Sequence, residues 1–226
     1  MGGAVGALVP AAGRGVRLGA GVPKAFALLA GRPLLWHAVR GLLDSGCVDE
    51  VVVAIAAEDR ERAANALAGF EWVSVVDGGA ERSDSVRAAL ATVPAAAVVL
   101  VHDAARCLTP TATIRAVVTA VQAGHGAVVP VLPVSDTVKR VDATGAVLAT
   151  VDRTPLRIAQ TPQGFDADLL RRAHATGGGS VTDDAALVEH LGEAVITVPG
   201  HPLAFKITTP FDLAVAEAVL GNGVRA

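Results

Sequence analysis

Short, nearly unbroken apolar runs alternate with amphipathic stretches along most of this chain. Residues 5–10 form the first run, and a glycine-rich loop follows. Within 33–45, Leu34, Leu35, Ala38, Val39, Leu42 and Leu43 fall on one face at helical spacing, and Gly46 suits the stop. Residues 50–56 (EVVVAIA) read as a buried strand, 58–67 as a helix charged along one side, and 73–76 as a strand running into Asp77-Gly78-Gly79. A helix capped by Ser83 is expected to run to the region of Val93. Strand 97–102 ends in His102-Asp103, and helix 111–122 and strand 127–132 come next. This alternation, with strands apolar on both faces, predicts an α/β fold with a doubly wound, mostly parallel sheet. Ligands of such sheets lie beyond the carboxyl ends of the strands. Loops 11–24, 77–85 and 103–106 are therefore expected to converge on one cleft.

The rhythm changes after residue 133. Residues 134–141 and 146–151 flank Asp142-Ala143-Thr144-Gly145, turn residues between two β-prone stretches. They predict a hairpin arm, 134–153, projecting from a single domain that spans 1–226. Helices are expected at 166–175 and 182–191, on either side of Gly177-Gly178-Gly179, and strands at 195–198 and 205–208. A last helix, capped by Thr209 with Pro210 in its first position, runs to the region of Leu220.

Composition narrows the function classes. Hydrophobic residues make up 52% of the 226 positions and charged residues 18%, so the chain can bury a sizeable core. A net charge of −3, no basic run, 3% aromatics and no tyrosine argue against a nucleic-acid partner. Residues 116–135 carry one uncompensated feature of a membrane span, the lack of charge, but Gly124, Gly126, Pro130 and Pro133 interrupt them. No signal peptide is read at the start, and Cys47 and Cys107 stand far apart as free thiols; a cytoplasmic location follows. The six histidines form no cluster, so no zinc-type protein metal site is expected.

The loop Pro10-Ala11-Ala12-Gly13-Arg14-Gly15-Val16-Arg17-Leu18-Gly19 carries the first chemical signal. Glycines and small residues let backbone amides approach a phosphate closely. It matches neither the Walker A loop nor the dinucleotide fingerprint, and by itself it also reads as a tight turn. Arg17 and Lys24, the latter stiffened by Pro23, add a planar fork and a mobile point charge that can bracket a triphosphate; their bland reading is a solvated surface pair.

With PAAGRGVRLGAGVPK at 10–24 go GGAERSDSV at 78–86, HDAAR at 102–106, DTVKR at 136–140, TVDR at 150–153, TPQGF at 161–165, TDDA at 182–185 and KITTPFDL at 206–213. This ordered set, covering nearly the whole chain, resembles the 2-C-methyl-D-erythritol 4-phosphate cytidylyltransferase family, and implies its Rossmann-like nucleotidyltransferase fold. The chain ends soon after the last motif, as in the form of that family without a fused cyclase. The resemblance implies CTP and methylerythritol phosphate as substrates, with Mg²⁺ held mainly by the CTP phosphates. It puts the catalytic set on Arg17, Lys24, Arg153 and Lys206, with Arg17 and Lys24 stabilising charge on the α-phosphate. Pro10, Ala11, Ala12, Gly13, Gly15, Gly79 and Ser85 fall at the nucleotide site, and Asp103, Thr137 and Arg106 on the polyol phosphate. Thr137 and Arg153 sit on the arm, which implies a homodimer whose subunits exchange arms to complete each other's sites.

Read without the family, Asp103 could cap its loop, Arg106 could pair with Asp103, and Thr137 and Arg153 would be surface residues. Two departures from the family pattern stand out. Ala25-Phe26 replaces a frequent Gln-Tyr, and Ala80 stands where some members have a polar residue near the base. Two rival functions remain open at this level: a cytidylyltransferase for another polyol phosphate such as ribitol 5-phosphate, and a non-catalytic nucleotide-binding or assembly protein.

Overall fold

Strand β1 (Val5–Pro10) is buried on both faces, as its uninterrupted apolar sequence requires. The structure, a computed structural model, describes residues 3–13, 18, 21–176 and 182–222. A 3-10 turn at Lys24–Phe26 leads into a two-stranded ribbon, β2 (Leu28–Leu29) and β3 (Arg32–Pro33). Then come α1 (Leu34–Asp44), β4 (Glu50–Ile55), α2 (Arg60–Ala66), β5 (Val73–Asp77), α3 (Arg82–Leu90), β6 (Val98–Val101), α4 (Thr111–Gln122) and β7 (Ala127–Pro133). Strands β8 (Val138–Val141) and β9 (Val147–Val151) form the hairpin. The chain continues through β10 (Arg157–Ala159), β11 (Gln163–Asp166), α5 (Ala167–Ala175), α6 (Asp184–His190), β12 (Val195–Pro199) and α7 (Pro210–Gly221).

The main sheet runs β10-β7-β11-β6-β1-β4-β5, with β12 on the other edge of β7. Strands β4, β1, β6 and β5 pair in parallel, and so do β7 and β12. The sheet is therefore the expected mostly parallel one, with two antiparallel members: β11 lies between β6 and β7, and β10 follows it along β7.

Period-two alternation divides the core into two layers. Val5, Ala7, Val9, Val51, Val53 and Ile55 face α1, α2 and α4, where Leu35, Val39, Leu42, Ala63, Ile114 and Val117 meet them. Leu8, Val52, Ala54, Val99 and Val101 face the other way, against Val86 and Leu90 of α3, Leu170 of α5 and Leu187 and Val188 of α6. A third cluster joins Leu29, Leu34, Ala38, Cys107, Ile207 and Ala216 of α7.

Three expectations need correction. Residues 205–208 are not a strand. Ile207 donates its N–H to the Ala105 carbonyl at 2.8 Å and buries its side chain in the third cluster, so the apolar pattern there serves a side pocket of the core and not a sheet. The N-cap of α3 is Glu81 and not Ser83; Asp84, three residues on, accepts the Glu81 N–H at 3.2 Å and closes that end. The helix expected at 58–67 opens as a 3-10 turn, Ala57–Asp59, before α2.

The hairpin is a two-stranded sheet of its own. Asp142 Oδ1 shapes its tip, accepting from the backbone N–H groups of Thr144 (2.9 Å) and Ala146 (3.0 Å) and from the Thr144 hydroxyl (2.7 Å). Gly145 takes the positive φ of +86° that this turn needs. Val141, Val147 and Leu148 on the hairpin are 52%, 61% and 59% exposed, an apolar surface the chain itself does not cover.

Candidate active site

The loops after β1, β5 and β6 do meet, at the carboxyl ends of those strands, and Lys206 closes the fourth side. Pro10, Ala11, Ala12 and Gly13 form one wall, Gly79 and Ser85 another, and Lys24, Asp103 and Lys206 contribute charge. Arg17 and Gly15 lie outside the described residues.

Each wall is fixed from behind. Ala11 donates its N–H to the Ala54 carbonyl at 2.7 Å, and Gly78 to that of Ile55 at 2.6 Å, so both loops leave the sheet under backbone control. The Ser85 hydroxyl, 2% exposed, accepts the Gly79 N–H at 3.1 Å and folds the glycine turn onto α3. A Cβ at Gly79 would come within 2.2 Å of Asp84 Cβ, and one at Gly78 within 2.8 Å of Ala12 Cβ. Glycine is thus a packing requirement at both positions. Pro23 precedes the 3-10 turn that carries Lys24, with φ of −56°.

Asp103 is the electrostatic centre. Its Oδ2 is 2.8 Å from Lys206 Nζ and 3.8 Å from Arg106 Nε, and its Oδ1 is 3.5 Å from Arg82 Nε. Burial would raise its pKa, but Arg82, Lys206 and Arg106 outweigh that and hold it at about 2. One carboxylate thus gathers three cations, one of them, Arg82, shared with Asp184, and so concentrates donors for a phosphate beside it. Its backbone N–H donates to the Thr161 hydroxyl at 3.0 Å, and the same hydroxyl lies 3.1 Å from His102 Nδ1. Burial pushes His102 down to about 4, so the ring is neutral and supports the loop instead of contributing charge.

Arg106 is turned away from the cleft. Its Nη1 donates to the Ala204 carbonyl (2.8 Å) and its Nη2 to that of Ala159 (3.2 Å), tying the Asp103 loop to β10 and to the segment just ahead of Lys206. The structure does not bring Arg106 into the lining where substrate contact was expected; the alternative pairing with Asp103 is the geometry observed. Thr137 and Arg153, at the root of the hairpin, are exposed and outside the lining of their own chain's cleft, and Arg153 donates to the Ser135 carbonyl.

Sequence reasoning assigned no role to Arg82, which lines the cleft as a further cation. Its Nη1 is 2.6 Å from Asp184 Oδ2, 102 positions away, and Asp184 Oδ1 is 3.1 Å from His174 Nε2. Both residues lie inside quoted motifs, GGAERSDSV and TDDA, but no spacing rule joins residues so far apart. Among the described residues no group of three or more His, Cys, Asp or Glu side chains is placed to hold a metal ion. No helix among them is long and apolar enough to cross a membrane.

The family model for 2-C-methyl-D-erythritol 4-phosphate cytidylyltransferase matches residues 5–222. The chain is 62% identical to the enzyme of that name from Saccharopolyspora erythraea over 219 residues, covering 95% of this chain and 98% of the relative. It is 60% identical to that of Nocardia farcinica, covering 96% and 94%. Among solved structures, the Thermus thermophilus 2-C-methyl-D-erythritol 4-phosphate cytidylyltransferase superposes with a TM-score of 0.78 at 39% identity, over 97% of this chain and 98% of the other. The 4-diphosphocytidyl-2C-methyl-D-erythritol synthase of Anaerococcus prevotii does so at 0.85 and 27%, over 98% and 100%. The match runs along almost the full length, on a fold that gathers Lys24, Gly79, Ser85, Asp103 and Lys206 in one cleft: the chain belongs to the 2-C-methyl-D-erythritol 4-phosphate cytidylyltransferase family.

Proposed function

We propose that this protein transfers the cytidylyl group of CTP to 2-C-methyl-D-erythritol 4-phosphate, releasing pyrophosphate. The observation that carries the reading is the Asp103–Lys206 ion pair, set in a glycine-walled cleft that Lys24 also lines. A phosphate oxygen of the polyol phosphate attacks the α-phosphorus of CTP in line. The new P–O bond forms as the α–β bridging bond breaks, and the electron pair leaves with pyrophosphate. Such transfers depend mainly on positioning and on fixed positive charge where negative charge develops. Lys24 and Arg17 stabilise the α-phosphate. Lys206 orients the attacking phosphate, and Asp103 keeps Lys206 in place and accepts from polyol hydroxyls. The small side chains of Ala11 and Ala12 and the backbone at Gly13 and Gly79 accommodate the nucleotide.

Mg²⁺ belongs to this reading as part of the Mg–CTP substrate. Of the two carboxylates lining the cleft, Asp103 is committed to cations and Glu81 caps α3, which suits an ion carried by phosphate oxygens better than one caged by protein ligands. When bound, it neutralises phosphate charge.

The chain is read as one catalytic unit working as a homodimer, in which the hairpin delivers Thr137 and Arg153 to the neighbouring cleft. Their exposure away from their own cleft supports this, as does the uncovered apolar surface of Val141, Val147 and Leu148. A cytoplasmic location is part of the same reading; Cys47 and Cys107 are both free thiols.

The test is pyrophosphate release from CTP and Mg²⁺ with methylerythritol phosphate, with ribitol 5-phosphate in parallel. Faster turnover of ribitol phosphate would overturn the acceptor assignment, and no release with either would overturn the enzymatic reading.

A further inference from the structure

The first turn of α6 buries a carboxylate that the reaction described above does not use. Asp184 is 1% exposed and both of its oxygens are engaged, Oδ2 at 2.6 Å from Arg82 Nη1 and Oδ1 at 3.1 Å from His174 Nε2. His174, on α5, is itself buried. Buried ion pairs of this kind add little net stability compared with apolar side chains of the same volume. The location of this one gives it another use, because Arg82 spans from Asp184 to the cleft wall.

Arg82 stands between two carboxylates at unequal distances. Its contact to Asp184 is short, and its contact to Asp103 is 3.5 Å. Asp103 in turn holds Lys206 at 2.8 Å. A guanidinium prefers a bidentate grip on a single carboxylate. Without Asp184, the carboxylates that remain about Arg82 are Asp103, at 3.5 Å, and Asp183, whose two oxygens already accept from Gln163 Nε2 and the Ala186 N–H; Asp103 is the one left to take the guanidinium. Arg82 would then compete with Lys206 for it.

We infer that Asp184 is a positioning residue for nucleotidyl transfer: it holds Arg82 back from Asp103, so that Asp103 stays paired with Lys206, and His174 secures the carboxylate from behind. The inference rests on the proposed reaction for its kinetic consequence but not for its geometry.

Asp184→Asn keeps the shape and removes the charge. The expected result is a loss of about tenfold in kcat/KM for methylerythritol phosphate, with KM for CTP changed less than about twofold. In an Arg82→Ala background the same substitution should add nothing, since the residue acts through Arg82. Kinetics like wild type, or losses that multiply in the double variant as for an independent structural lesion, overturn the inference. Should Asp184→Asn fail to fold, Arg82→Lys replaces it; a point charge cannot reach both carboxylates as the fork does, and the same selective loss is expected. Wild-type kinetics in that variant would also overturn the inference. A crystal structure of the substituted protein gives the readout that does not depend on activity: Arg82 should close on Asp103, shortening the 3.5 Å contact. An unmoved Arg82 refutes positioning. If wild type releases no pyrophosphate, the reaction assigned above falls, and that structure still decides the role of Asp184.

Discussion

Asp103→Asn tests the electrostatics of the cleft through stability alone. The Asp103 carboxyl titrates at about 2 against an ordinary 3.8, because Arg82, Lys206 and Arg106 overcome the effect of burial. That gap corresponds to about 2 kcal/mol of folding stability, since each pKa unit is worth about 1.4 kcal/mol. The folded-state value is the depressed one. The contribution is therefore complete above the unfolded pKa of 3.8 and is lost as pH falls through 2. Near pH 3 about half, roughly 1 kcal/mol, has gone. Asparagine does not titrate here, so the stability gap between wild type and variant should narrow by about 1 kcal/mol from pH 6 to pH 3. Urea unfolding at pH 6, 4 and 3, followed by far-UV circular dichroism, measures this. Only the difference between the two proteins is used, which cancels the other carboxylates that protonate over the same range. At pH 6 the variant should be the less stable protein, because Arg106 Nε is buried without a hydrogen-bond partner and the nearby Asp103 charge is what offsets it. A gap that holds constant across pH would show that the three cations do not grip Asp103 in solution, and the account of the cleft would fail with it.

Lys24→Ala should lower kcat by about 10²–10³-fold, the usual cost of a lost charge-stabilising donor, while the thermal midpoint stays near wild type; wild-type turnover would refute the role of the loop. Co-expressing Lys24→Ala with Arg153→Ala chains distinguishes arm exchange from action within one chain. With exchange, mixed dimers carry one intact site and the pool recovers about a quarter of wild-type activity, whereas without it no site is intact and none returns. Gly79→Ala places a methyl where Asp84 Cβ already sits, at 2.2 Å. It should cost about 1–3 kcal/mol in urea unfolding and raise KM for CTP, and an unchanged KM would separate the turn from the nucleotide.

The parts of the structure that could be read from the sequence are those where one local rule acts alone. Helix α4 was expected at 111–122 and runs Thr111–Gln122, because a proline before it and apolar residues at helical spacing leave no competing reading. The three loops could be placed because each follows a strand of the parallel part of the sheet. Strand β11 gave no signal: Gln163-Gly164-Phe165-Asp166 is too short for a period, and it is held in place by β6 and β7 on either side. Residues 205–208 show the opposite failure, in which an apolar run is real but a side cluster, not a sheet, takes it up. The motifs named Asp103 and Lys206 separately, and only the fold made them a pair. Arg82 and Asp184 went without roles for the same reason, since pairings between residues so far apart in sequence are created by packing and leave no local trace.

Strand β11 also sets a schedule. A ribosome delivers β1 to β6 in sequence, and they can pair as they emerge, but the outer edge of β6 has no neighbour until residues 163–166 arrive. Until then it is an open strand edge of the kind that invites wrong partners. The charge at Asp103 waits longer, since Lys206 is 103 positions further on (206 − 103), which at about 5–20 residues per second is about 5–20 s of synthesis. The N-terminal half of the sheet is thus assembled early and its cleft is finished last, so a nascent chain released before Lys206 would keep most of the nucleotide walls and lack the cation that pairs with Asp103.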